Sequence, residues 1–373
     1  MQRYLSQWFL ATALILVGVA AINIVVDPYG IFRLIDRTGF NSVKPAAPSR
    51  GPMAKAYQVL RVQPKTLILG NSRAELGLDP NHIAWPQNVR PVYNAALPGT
   101  GTGTSLRYLQ HVLAANAGNP AAQPTLVLWG LDFMDFLTDP TKPTPPRNAH
   151  AGDAESRRLM SASATDRFRQ QVRDFAESTL TLAALMDSVQ TLASQRNPFA
   201  VDLTPQGFNP MHDYLKITVD EGYWAVFRQK DQMYDRTFAR LPKSIFDASG
   251  NTSRQWQDLK DIMRLCRQHG IELQLFTYPY HAHMLDTFAK TGHTPGLELW
   301  KRTLVKTLAD EAAASAQPAF ALWDFSTLNA FTAEAVPPQS DLKSTMRWYW
   351  EAGHFKSELG GLMLEQMVGQ AVP

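Results

Sequence analysis

From Trp8 to Val26 the chain reads WFLATALILVGVAAINIVV, nineteen residues without a charge. As a helix this run spans roughly 28 Å, close to the ~30 Å hydrocarbon core of a bilayer. Trp8 and Tyr29 lie near its two ends, where amphipathic aromatics favour the interface. A cleaved signal peptide has a shorter apolar core, about 7–15 residues. The pattern predicts a retained transmembrane anchor over residues 1–28 and a separate domain over 29–373. Arg3 precedes the span, and Asp27, Arg33, Asp36 and Arg37 follow it. The expected arrangement is a short tail inside and the large domain outside.

The remaining chain is long enough for a sizeable core: of 373 residues, 45% are hydrophobic. A net charge of +3, with no long block of Lys and Arg, argues against nucleic acid as a partner. Cys266 is the only cysteine, so no intrachain disulfide exists. In WQDLKDIMRLCRQHG, Trp256, Leu259, Met263 and Cys266 share one helical face, which predicts a core thiol.

Strand-like and helix-like runs alternate beyond the anchor. KTLILGNS, RPVYNAALPG, PTLVLWGLDF, IELQLFTYP and FALWDFS are the expected strands. In KTLILGNS and PTLVLWGLDF the apolar residues do not alternate with polar ones, as in strands covered on both faces. TSLRYLQHVLAA, with Leu106, Leu109 and Leu113, has the helical period. These readings predict an α/β fold with a mostly parallel sheet. DPTKPTPPRN (Asp139 to Asn148) reads as a Pro-rich loop. About Glu155 to Gln195 reads as helix, with Phe168, Val172 and Phe175 at helical spacing. Residues 140–250 are expected to be an insertion on the α/β domain.

Ligands in open α/β sheets bind beyond the carboxyl ends of the strands. Ser72 lies at such an end, as do Gly99, the stretch from Gly130 to Asp132, and YPYHAH. Ser72 reads either as a helix cap or as a nucleophile, and a nucleophile needs a base. His354 stands between an aromatic run and a terminal amphipathic helix, and Glu351 is three residues earlier, placed to orient an imidazole. Arg73 reads equally as structural or as a contact for an anionic substrate. GTGTG (Gly99 to Gly103) lacks the spacing and lysine of a nucleotide loop. His281 and His283 do not make a full metal shell. Neither metal nor cofactor is expected.

Gly70-Asn71-Ser72, YNAALPGTGTGTS, the Gly-containing third strand end and Glu351-x-x-His354 resemble the SGNH/GDSL hydrolase superfamily. With VDPYGIF, LILGNSRAELGLDP and YWEAGHFKSELGGLML, they are similar to its membrane-anchored proteobacterial branch, related to alginate-type polysaccharide O-acetyltransferase subunits. The resemblance runs over most of the chain from Asp27 onward, outside the insertion. It implies a three-layer α/β/α sandwich, SGNH or flavodoxin-like. It implies Ser72 as nucleophile, His354 as base, and Glu351 at a position the family gives to Asp. Gly99 or Gly101 would line the oxyanion hole beside Ser72, next to Asn71 and Arg73. Asp132 stands where the family has an asparagine, and an ionised carboxylate cannot donate to an oxyanion.

The expected function is serine-dependent acyl transfer or hydrolysis, through an acyl-enzyme on Ser72. The expected substrates are envelope or exported polysaccharide, or a small acyl ester. The implied location is a single-pass inner-membrane protein with its domain in the periplasm, and a membrane-bound acyltransferase is an expected partner. The departures at Asp132 and Glu351 point to the alternative, an inactive SGNH-like module that binds glycan or a partner subunit.

Overall fold

The structure, a computed structural model, describes residues 1–142, 153–248, 250 and 253–369. Helix α1 (Gln2–Val26) is long and apolar enough to cross a membrane. It leads to α2 (Gly51–Val62) and then the sheet. Strands β1 (Thr66–Leu69), β2 (Val92–Asn94), β3 (Leu126–Leu131), β4 (Glu272–Thr277) and β5 (Ala321–Asp324) form one five-stranded sheet in the order β2-β1-β3-β4-β5. All its pairings are parallel, with Ile68 opposite both Asn94 and Leu128. Helix α3 (Ser72–Gly77) follows β1, and α4 (Thr102–Ala115) follows β2. Between β3 and β4 come α5 (Ala154–Arg158), α6 (Ala164–Thr179), α7 (Leu182–Ser194), α8 (His212–Phe238) and α9 (Arg254–His269). Helices α10 (Ala282–Lys290) and α11 (Thr294–Ser315) precede β5. A two-stranded antiparallel hairpin, β6 (Tyr349–Glu351) and β7 (His354–Phe355), leads into α12 (Ser357–Met367).

The five expected strands are present, and the fold is α/β with a parallel sheet. Leu67, Ile68, Leu69, Leu126, Val127, Leu128, Leu273 and Leu275 are all buried. Each such side chain contributes about 1.5–3 kcal/mol by leaving water. Helices explain the two-sided burial: α4 packs on α2 and α9, α9 packs on α11, and α3 packs on α12. Cys266 is in the core, as its helical face predicts. Strand β5 has only β4 beside it, and its side chains are partly exposed. From residue 143 the expected Pro-rich loop lies outside the described residues. Phe168, Val172 and Phe175 do share a helix, but all three are exposed.

The end of α1 is fastened to the domain. Asp27 leaves the helix in the left-handed region, and its carboxylate accepts the Ile31, Phe32 and Arg33 N–H groups at 2.7–3.1 Å. The last turn of a helix leaves carbonyls without intrahelical partners. Here the buried Lys44 ammonium donates to the Val26 and Asp27 carbonyls at 3.1 and 2.8 Å. The Asn41 amide donates to Val25 and Val26 at 3.2 and 3.1 Å.

Two glycines bring the C-terminal hairpin to the first strand end. A Cβ on Gly360 would overlap the Gly77 carbonyl, and one on Gly77 would overlap the Phe355 ring. Helices α3 and α12 therefore touch backbone to backbone, and β7 packs against α3. That contact brings His354 to Ser72, 282 positions earlier.

Candidate active site

Strand β1 ends at Leu69 and turns at Gly70, whose φ of 145° favours glycine. A Cβ on either Gly70 or Gly130 would overlap the Tyr278 hydroxyl. That hydroxyl sits between the two strand ends, accepting from the Asn71 N–H and donating to the Gly130 carbonyl, both at 3.3 Å. Asn71 is the N-cap of α3: its side-chain oxygen accepts the Arg73 N–H at 3.0 Å. The capping role open to Ser72 from the sequence thus falls to its neighbour.

Ser72 Oγ lies 2.8 Å from His354 Nε2. The other ring nitrogen, Nδ1, bonds Glu351 Oε1 across the β6–β7 hairpin. Glu351 is fully buried, and its carboxylate also accepts the Gly353 N–H at 2.8 Å and the Tyr234 hydroxyl at 3.2 Å. Burial pushes this carboxyl up, but His354, the Gly353 N–H and Lys230 together hold it below its ordinary value. An ionised Glu351 keeps the imidazole proton on Nδ1, so Nε2 presents its lone pair to the Ser72 hydroxyl. Ser72 is half-buried and the His354 side chain is 19% exposed, so the pair is open to a ligand.

The second loop is tied to the first by the Leu97 N–H, which donates to the Gly70 carbonyl at 3.2 Å. Among the described residues, the amides of Ser72, Gly99, Thr100 and Gly101 have no hydrogen-bond acceptor. Gly99 is exposed and Ser72, Thr100 and Gly101 are half-buried, so these amides are free to donate to water or to a ligand's oxygen.

Asp132 is held within the fold. Its charge is not left uncompensated: the carboxylate pairs with Arg73 and accepts from Asn71 Nδ2 at 2.6 Å and from the Tyr280 hydroxyl at 2.8 Å. The Met134 N–H adds a bond at 3.1 Å. Asn71, Arg73 and Asp132 are all buried, and the side chains of the first two both bond the third. Arg73 also lies over the Tyr278 and Tyr280 rings, at 5.8 and 5.4 Å. It is a structural cation here, because its partner belongs to the fold.

The sequence reading missed Asp135. It is half-buried, and its carboxyl carbon would lie 3.3 Å from a Cβ on Gly101. It lines a cleft of about 420 Å³ with the loop from Gly99 to Thr104, Arg107 and Arg254. Burial, and then the Asp132 charge, push Asp135 well above the usual carboxylate range, against the influence of Arg73. A carboxyl raised on folding costs stability wherever the unfolded chain would ionise it. That cost is absent below the ordinary value of 3.8 and grows as pH rises above it. Asp135→Asn should therefore raise the melting temperature near neutral pH and give no gain in acid, as thermal melts at the two pH values would show.

Tyr234, Tyr278 and Tyr280 were also missed as supports, although YPYHAH marked the right strand end. A Cβ on Gly353 would overlap the Tyr234 hydroxyl, so the Ala352-Gly353 break was the signal for that contact. His281 bonds the Glu334 carbonyl and His283 bonds Asp231, at 2.9 and 2.7 Å. Among the described residues, no group of three or more His, Cys, Asp or Glu is placed to hold a metal ion. No protein-family model matches the chain, and no curated protein matches it.

Proposed function

We propose that this chain is a serine-dependent acyl-transfer enzyme of the SGNH type, held at a membrane by α1. The observation that carries the reading is the line of contacts from Ser72 through His354 to the buried Glu351. In the first half-reaction Ser72 Oγ attacks the ester carbonyl carbon while its proton passes to His354 Nε2. Negative charge gathers on the carbonyl oxygen, and the Ser72 amide with those of Gly99 to Gly101 are the donors for it. The bond to the leaving alcohol breaks, and His354 returns the proton to that oxygen. A second hydroxyl, from a sugar or from water, then attacks the acyl carbon while its proton passes to His354 Nε2; the bond to Ser72 Oγ breaks, and His354 returns that proton to Ser72.

The resemblance supplies the finer parts of this reading: the three-layer sandwich, the polysaccharide acceptor, a membrane-bound acyltransferase as partner, and the domain on the periplasmic side of an inner membrane. What supports an active enzyme over the inactive module is the Glu351 departure: a glutamate at that position still reaches His354 Nδ1.

A fluorophosphonate probe tests the proposal. The wild type should be labelled, with the added mass on the peptide that contains Ser72, and should turn over p-nitrophenyl acetate. Ser72→Ala should do neither. A folded wild type that takes no label and shows no turnover would replace this reading with the non-catalytic binding module.

A further inference from the structure

Helices α6 and α7 are built inside out. On α6 the buried residues are polar: Gln170 is 3% exposed and Asp174 is 2%. Phe168, on the same helix, is 66% exposed, and Val172 and Phe175 are exposed with it. On α7 the buried residues are small, Ala184, Ser188 and Thr191, while Leu182, Met186 and Val189 face outward. The inner face of α6 is held by polar contacts. Asp174 accepts from Tyr57 at 2.6 Å, from Arg158 at 2.6 and 2.8 Å, and from Gln170 at 2.8 Å. Small and polar residues at helix contacts, with large apolar ones outside, are the packing of helices in lipid. In water such a cluster of exposed large apolar residues is a liability.

The position of the pair identifies what covers it. Both helices pack on α1. Asn23 of α1 donates to the Thr179 carbonyl at 3.0 Å and accepts from Ser188 at 2.8 Å. Apart from Thr12, burial on α1 starts at Val19 and ends at Val26. That stretch is about 10 Å of helix. Helices lying in a membrane interface bury their apolar face roughly 5–10 Å deep. The outer face of α6 and α7 thus continues the exposed apolar surface of α1, over its last turns. The four arginines from Ala164 to Arg196 are matched by four acids, Asp166, Asp174, Glu177 and Asp187, so the face needs no anionic lipid.

From this geometry we infer that α6 and α7 lie in the bilayer interface beside α1, with Phe168, Val172, Phe175, Leu182, Met186 and Val189 in the acyl region of the leaflet. This rests on α1 as a membrane span, and the test reads the two separately.

The full chain would be placed in phosphatidylcholine nanodiscs, one copy per disc. Single cysteines at Leu14, Phe168, Met186 and Ile83 would carry an environment-sensitive fluorophore. All four positions are exposed, and Cys266 stays unlabelled because burial raises its thiol to about 12. Labels at 168 and 186 should show blue-shifted emission and be quenched by spin-labelled lipid, as at 14. The label at 83 should be quenched only by an aqueous agent. A label at 14 that escapes lipid quenching overturns the anchor itself. Lipid quenching at 14, with water quenching at 168 and 186, overturns the interface inference alone. Labels at 168 and 186 shielded from both quenchers would mean that protein covers the face, which also overturns it.

Discussion

His354→Ala should lower the turnover of p-nitrophenyl acetate by about 10²–10⁴-fold, the range for removing a positioned general base. The fold should survive, because the side chain is partly exposed and, among the described residues, its ring bonds only Ser72 and Glu351. Steady-state kinetics with circular dichroism as a control would check both points. The loss should fall in kcat, because the proton transfer belongs to the transition state. His354→Ala and Ser72→Ala should not add in the double variant, since the two groups act as a unit. Glu351→Gln should cost less than His354→Ala, because an amide still fills the site but no longer holds the imidazole proton on Nδ1. An unchanged rate in His354→Ala would leave the Ser72 contact without a catalytic meaning.

Arg73→Ala should be the most destabilising single change at this strand end. It would leave Asp132 buried without its cation, and breaking one side of a buried pair costs about 3–5 kcal/mol. Domains are typically stable by only about 5–15 kcal/mol, so this loss is a large part of the whole. Urea unfolding of detergent-solubilised protein would read it as a lower midpoint. Replacing both partners, Arg73→Met with Asp132→Leu, should recover much of the loss, because neither charge is then buried alone. If Arg73→Ala unfolds at the wild-type midpoint, the pair does not hold this strand end.

Strands β1 and β3 were legible because both of their faces are covered. Runs such as Leu67 to Leu69 carry no polar alternation, and an unbroken short apolar run is what a central parallel strand looks like. Ser72, Glu351 and His354 were legible from a strand end and from a spacing of three residues around a Gly break. The role of Asp132 was not legible because its partner Arg73 is 59 positions away, and no local pattern reports a pairing across two strand ends. The direction of α6 was illegible for a different reason. Helical spacing reports that Phe168, Val172 and Phe175 share a side, but a protein core and a lipid tail are equally apolar. Only the packing on α1 tells which side is out.

The fastening at the end of α1 bears on where such an enzyme could work. A flexible linker of n residues lets a domain wander by about 5–6 Å times the square root of n, so a tethered catalyst samples a wide hemisphere. No such slack follows Val26: Lys44, Asn41 and the Asp27 turn clamp the chain at once. With α1 across a bilayer, Ser72 would stand at one height and one bearing above the lipid. Under the proposed function, the acyl acceptor would have to come to that point. The domain would then act at a fixed distance from the lipid surface and would not range over distant material.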